Sequence, residues 1–457
     1  MGTVGISFGS PTSGQGFDVT STVNQLVTNL QAIETPWKTQ LSNLRSEDTV
    51  LTSIGSDLSS LSTALQSLTD FQGVLSEKQG SSSDTSVLQL TGAASNAIAG
   101  SHTITVTNLA QTSSQYSDLV PVSDSLSGTL TIAVGSGAAQ TIAIDSSDNS
   151  LSSLAAKINS GNYGVTANLI TTSGGQRLSL VSSTSGAGGN IALSGSLKDA
   201  RSSTAINFTQ GQAGQDAQLT VDGVAVTSSS NTVTNAIQGV TIQLLSAAPS
   251  ADVQVEITNN NNDVESALNS FVTAYNKVIG DLNTQEGKDS SGNPEPLFGN
   301  PAVATIQENL QLALAFVQSG NAISSVSQLG ISTNGNGTLS LNADTLQNAL
   351  NSNYQDVVNF FQSSVSFKSF GANLSTALDN LGNGAPNGAV YLTLQQNAAQ
   401  ESSFNTSIRN EDARISAEKT QLTTELNQAN FILEQIPLQI AQVNEIYSAI
   451  TGYNEKS

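Results

Sequence analysis

Apolar residues near the start of the chain recur in steps of four and three: Val19, Val23, Leu26, Leu30, Ile33, Trp37, Leu44, Leu51, Ile54, Leu58, Leu61, Leu65 and Leu68. Gln40 and Glu47 fill the two polar slots. A 4-3 stripe kept over this many heptads predicts long helices of the coiled-coil type. Asp18 is a cap for the first, and Thr35-Pro36 is a second start signal, a capping residue followed by proline at the first helical position. The pattern therefore predicts helices over 18–34 and 36–71 with a joint between them. A matching stripe closes the chain: Ile408, Ile415, Leu422, Leu426, Ala429, Leu433, Ile436, Ile440, Val443, Tyr447 and Ile450, with Asp412 and Lys419 as polar intrusions. Pro437 lacks the backbone N–H and crowds the preceding turn, which predicts a kink or break there. Two such ends predict one antiparallel helical stem.

Between them the period changes from helical to alternating. SVLQLTG, SHTITVTNLA, GTLTIAVGSGAAQTIAI, GVTANLI and QRLSLVSS alternate apolar and polar positions between Gly, Ser and Asn turns, as strands and hairpins do. One helix interrupts them, with Leu151, Leu154, Ala155 and Ile158 on one face. A second β block, AQLTVDGVAVTSSSNTVTNAIQGVTIQLLS, carries Asp222-Gly223, a strong two-residue hairpin signal. After VQVEIT the helical period returns in DVESALNSFVTAYNKVIGDL, capped by Asp263, in NPAVATIQENLQLALAFVQ, capped by Asn300 before Pro301, and in NADTLQNALNSNYQDVVNFF after the strand-like NGTLSLN. The expected fold is α+β and multidomain: a helical coiled-coil stem built from both termini, elongated, with an inserted β-rich head in two parts.

The charge balance narrows the partners. Thirty-five acidic residues against 14 basic ones give a net charge of -21. Nucleic-acid binding needs clustered Lys and Arg to displace counterions. The densest basic group, Arg409, Arg414 and Lys419, is interleaved with Glu411, Asp412 and Glu418 and reads as a solvated helix face. Nucleic acid and anionic membrane are disfavoured alike. Cysteine is absent, so disulfides and thiolate metal sites are excluded. The opening MGTVGISFGSPTSGQGF has no Lys or Arg and no continuous apolar run, which does not read as a Sec signal peptide. No run is long enough to insert in a bilayer.

Little in the sequence points to catalysis. His102 is the single histidine, and a triad would need a nucleophile and a carboxylate to converge on it. Ser416-Ala-Glu-Lys419 matches a Ser-x-x-Lys pattern, but Lys419 sits in a helical heptad. Asp145, Asp148 and Asn149 lack the spacing and glycine of a calcium loop and read as a turn that caps the next helix. No cofactor is expected. The stripes carry more information. Over 36–71 and 400–430 they read as core within one chain. Over 18–33 and 431–450 they lie at the extremities, where few elements remain to cover them. Each fully buried Leu or Ile is worth about 1.5–3 kcal/mol. Val23, Leu26, Leu30, Ile33, Leu433, Ile436, Ile440, Val443, Tyr447 and Ile450 are therefore the candidate contacts to other subunits.

Several stretches, taken in order, resemble the bacterial flagellar filament cap family, hook-associated protein 2. GISFGSPTSGQGFDVTSTVNQLV is similar to the family's opening, and SHTITVTNLAQTSSQYS to its first strand and the Leu-Ala-Gln that follows. SLSSLAAKINSGNYGVTANLI and QRLSLVSSTSGAGGNI resemble a repeat of flagellar axial proteins; GQDAQLTVDGVAVTSSSNTVTNAIQGVTIQL is the most specific match, and SFVTAYNKVI and LGISTNGNGTLSLN are also family-like. The resemblance implies a non-enzymatic assembly factor, secreted through the flagellar export channel. It would form a ring-like homo-oligomer at the distal tip of the filament, and there retain exported flagellin and promote its folding and insertion. Hook-filament junction proteins, and an export chaperone on the C-terminal helix, are the further partners it implies. The implied domains are terminal docking segments 1–35 and 431–457, a helical stem of 36–80 and 255–430, a β-rich head of 81–125 and 210–254, and a distal head of 126–209. Adhesion to mucin or host glycans through the head, and another axial junction role, stay open as alternatives.

Overall fold

The computed structural model describes residues 16–146, 149–364, 367–382 and 384–452. The Ser/Gly-rich opening up to residue 15 and Asp148 lie outside them. The chain divides into two compact units, Met1–Thr69 with Ala267–Ser457, and Asp70–Ser266. Its α-helices are α1 (Val19–Gln31), α2 (Thr35–Thr69), α3 (Leu151–Ser160), α4 (Asn261–Gln285), α5 (Pro301–Leu314), α6 (Ala343–Ser352), α7 (Tyr354–Phe361), α8 (Phe370–Leu381) and α9 (Ala389–Thr451). The strands run β1 (Lys78–Ser82), β2 (Leu88–Ala93), β3 (Gly100–Asn108), β4 (Thr112–Ser117), β5 (Leu126–Val134), β6 (Gln140–Ile144), β7 (Val165–Thr172), β8 (Gly175–Ser185) and β9 (Ile191–Gly195). They continue as β10 (Lys198–Asp199), β11 (Phe208–Gln212), β12 (Ala217–Val221), β13 (Val224–Ser228), β14 (Thr232–Thr234), β15 (Val240–Leu244), β16 (Val253–Asn259), β17 (Ile331–Thr333) and β18 (Leu339–Leu341).

The helical unit is assembled on α2. Leu51, Ile54, Leu58, Leu61, Leu65 and Leu68 follow the 4-3 step, are fully buried, and face α8 and α9. α2 and α9 run antiparallel: Asn397 donates to Asp48 at 2.7 Å, and Arg45 lies 3.8 Å from Glu401, so the α9 number falls as the α2 number rises. Three phenylalanines complete the core. The Phe360 and Phe370 rings stack at 4.9 Å, with Phe361 edge-on to both. On α4, Tyr275 is buried with no partner for its hydroxyl among the described residues, and burial pushes that phenol up to about 12. A buried hydroxyl with no partner costs about 1–3 kcal/mol of desolvation. Tyr275→Phe is therefore expected to raise stability by about 1 kcal/mol in denaturant unfolding. A loss of that size would instead mean that the hydroxyl is satisfied.

Three helix boundaries differ from expectation. The chain runs through Pro437 without ending α9, which spans Ala389–Thr451. A proline removes one donor, the N–H that would meet the Leu433 carbonyl, and the bonds on either side carry the helix past it. The segment from Ala343 to Phe361 is two helices, divided at Asn353, whose backbone (φ -139°, ψ 39°) is not helical. α4 begins two residues before Asp263, which lies in its first turn. Other caps match the sequence reading: the Asp18 carboxylate accepts from the Ser21 N–H at 3.0 Å, and Asn300 caps α5 ahead of Pro301.

The β-rich unit holds two cores. In the first, a five-stranded sheet of order β1-β16-β3-β12-β13 faces a three-stranded one, β14-β15-β2. Ile104, Val106, Leu219, Val240, Ile242, Val255 and Ile257 fill the space between. The β12–β13 turn has Asp222 at φ 51° and Gly223 at φ 82°. Two positive φ values in a two-residue loop are what Asp-Gly supplies cheaply. In the second core α3 lies over β7 and β8, burying the predicted Leu151, Leu154, Ala155 and Ile158 with Leu130, Ile132, Leu178 and Leu180. The helical ends and β-rich insertion agree with the α+β class expected.

Candidate docking surface of the terminal helices

α1 does not stand free: it lies along α9. Val19, Val23 and Val27 pack on Ile415, with Phe17, Leu30, Leu422 and Leu426 around them. The Asn430 side chain closes this contact, its Oδ1 accepting from the Phe17 N–H at 2.8 Å. The pairing of 17 with 430 continues the antiparallel register of α2 with α9. At the α1–α2 turn Glu34 is fully buried, held by Lys38 at 2.6 Å through one oxygen, while its other oxygen has no partner among the described residues. Glu34 in turn raises the Lys38 ammonium above its ordinary range.

The candidate contacts thus separate into two groups. Val23, 2% exposed, is spent on the chain's own α9, as is most of Leu30, so neither offers a free surface; Leu26 is half-buried and Ile33 exposed. On α9 the covered stretch ends near Asn430. Beyond it Leu433 and Ile436 are half-buried, whereas Ile440, Val443 (63%), Tyr447 (60%) and Ile450 (79%) stand in solvent. Phe431, Ile432, Leu438 and Ile446 are exposed as well, and the 4-3 reading missed them. They fall off the strict heptad; the density of apolar residues over 431–450, rather than their period, was the available signal. Only Glu434 and Glu445 carry charge between 431 and 450. Apolar residues thus extend beyond a single a/d seam, and a face that wide suits burial against more than one neighbour. Scattered exposed Leu or Ile residues are ordinary, but a contiguous set marks an interaction site.

The remaining candidate chemistry does not converge on a reaction centre. His102 Nδ1 lies 2.7 Å from an Asp222 carboxylate oxygen, which, with the Thr103 N–H on its other oxygen, holds that carboxyl below its ordinary range. Lys419 is exposed on α9. Among the described residues no three His, Cys, Asp or Glu side chains are grouped as a metal site.

Known proteins resemble this chain in sequence and fold. Residues 15–113 match the family model for the flagellar hook-associated protein 2 N-terminus, and residues 214–436 match that for its C-terminus. The B-type flagellar hook-associated protein 2 of Pseudomonas aeruginosa is 30% identical over 381 residues, 75% of this chain and 78% of the relative. Flagellar hook-associated protein 2 of Escherichia coli K12 is 30% identical over 364 residues, 74% and 76% of the two chains. The fold is that of a flagellar cap protein: the crystal structure of the D1-D2-D3 domains of FliD from Escherichia coli superposes with a TM-score of 0.57 at 28% identity, covering 76% of this chain and 99% of that one. The chain belongs to the flagellar hook-associated protein 2 family. The family match ends at Ile436, so the exposed apolar residues from Leu438 onward lie beyond it.

Proposed function

We propose that several copies of this chain form an oligomeric cap at the distal tip of the flagellar filament, outside the cell. There the cap retains exported flagellin and promotes its folding and insertion, and it has no catalytic step. Residues 431–450 are the docking element, and the observation that carries the reading is their exposure: an apolar helix end that extends past the Phe17–Asn430 contact into solvent. In the assembly that face is covered by neighbouring copies and by the filament end; before export the same face is open to a chaperone. Contacts with the hook-filament junction proteins belong to the stage before the first flagellin is added. Deletion of the gene in the source bacterium tests the reading. Bare hooks by electron microscopy with abundant flagellin in the medium are expected; normal filaments would overturn it.

A further inference from the structure

Sheet edges in the β-rich unit are defended, with one exception. A free edge offers unpaired N–H and C=O groups to any other strand, and proteins block it with charge, bulges, short strands or side-chain caps. On β7 the Asn159 side chain takes up both main-chain groups of Ala167, each at 2.7 Å. On β6 Lys157 donates to the Ala143 carbonyl, and on β9 Ser113 and Gln115 occupy the main chain of Ile191. β11 is bulged between Gln210 and Gln212 and β2 at Thr91, β14 has three residues and β10 two, and β1 carries Lys78. β13, VAVTS, has none of these. It closes the five-stranded sheet in regular register with β12 alone and bears no charge and no proline.

The pairing with β12 determines which groups are free. In the two-residue hairpin Val221 and Val224 form the closing pair, so hydrogen-bonded pairs alternate inward from there and Val226 bonds to β12. The main chains of Ala225 and Thr227 therefore point outward, and both residues are exposed. Beside the edge an apolar slot of about 460 Å³ opens, lined by Ile98, His102, Val224, Val226, Ala236 and Ile237. Val224 and Ile98 stand at its rim, 66% and 71% exposed. From 217 to 251 the only charged residue is Asp222, and it is paired with His102. In a chain of net charge -21 this is a surface that two copies can bring together without like charges meeting.

We propose that β13 is a self-association edge, on which a second copy of this chain adds its own β13, antiparallel, about a two-fold axis at Val226. In that register Ala225 of each copy faces Thr227 of the other, and each such pair exchanges two main-chain hydrogen bonds. Val226 meets Val226 as the central non-hydrogen-bonded pair, Val224 lies opposite Ser228, and the two sheets become one. The contact is isologous, so it joins copies in pairs and is distinct from any ring closed through the terminal helices.

The chain has no cysteine, which makes the test direct. Facing residues of a non-hydrogen-bonded antiparallel pair lie about 4.5 Å apart at Cα, within disulfide range. Full-length Val226→Cys under mild oxidation is expected to form a linked dimer at least about tenfold faster than Ser291→Cys, an exposed turn residue of the other unit. Adding Ala225→Pro, which removes the outward N–H and leaves the hydrogen bonds of Val224 and Val226 to β12 in place, should return the rate to that of the control. Equal rates for Val226→Cys and Ser291→Cys, or no effect of the proline, would overturn the proposal.

Discussion

The triple variant Val443→Asp, Tyr447→Asp, Ile450→Asp is expected to fold normally and to leave cells non-motile. All three side chains are exposed, so thermal unfolding of the purified monomer should move by no more than about 0.5 kcal/mol. In an assembly each would be buried, at about 1.5–3 kcal/mol apiece. A carboxylate in the same place adds the cost of taking an unpaired charge out of water. Losing three such contacts weakens docking by at least about a thousandfold. Complementation of a deletion strain should then give flagellin in the medium at the level of the deletion itself. Wild-type swimming by this variant would remove the terminal face from the mechanism, whatever its apolar character.

A second large effect is expected inside the helical unit. Phe370 is buried, stacks on Phe360 at 4.9 Å with the planes 6° apart, and meets Phe361 edge-on at 5.9 Å. The backbone leaves no slack there, because a Cβ on the neighbouring Gly371 would lie 2.1 Å from the Phe361 carbonyl oxygen. Phe370→Ala therefore opens a cavity that its surroundings cannot close. The expected cost is about 3–5 kcal/mol, or roughly 10 °C on the melting transition of a unit of this size. Unfolding followed by circular dichroism at 222 nm reads the helical unit. A cost below about 1 kcal/mol would mean that the ring triad is not the centre of that core.

Much of the fold was legible because one face of each element is buried against one neighbour. On α2 from Leu44 onward and on α3 the apolar residues chosen by period are buried, whereas Trp37 is half-buried and Leu41, off the chosen stripe, is buried. Asp222-Gly223 marked its hairpin because few dipeptides tolerate two positive φ values. The remainder depended on facts that no single element carries. Val23 and Leu30 have the same spacing as Val443 and Ile450, yet the first pair is covered and the second is not. The difference is where α9 meets α1, a register set by contacts such as Phe17 with Asn430, 413 positions apart. At Pro437 the alternative of a break did not occur, because a helix tolerates the loss of one donor when the turns around it are intact. The division of α6 from α7 at Asn353 turned on one residue's dihedral angles, to which hydrophobic period is blind. Ala225 and Thr227 were likewise silent. Whether a strand lies at an edge is a property of the sheet, and the Asn159 and Lys157 caps that single out β13 come from a neighbouring helix.

Cysteine accessibility tests the central claim most directly, that other subunits cover residues 431–450. Val443→Cys would be introduced into the cysteine-free chain, with Ser291→Cys as the exposed reference, and maleimide labelling compared between purified monomer and intact filaments. Both thiols should react in the monomer, and on filaments Val443→Cys should be protected while Ser291→Cys still reacts. Equal labelling of Val443→Cys in the two states would contradict the account.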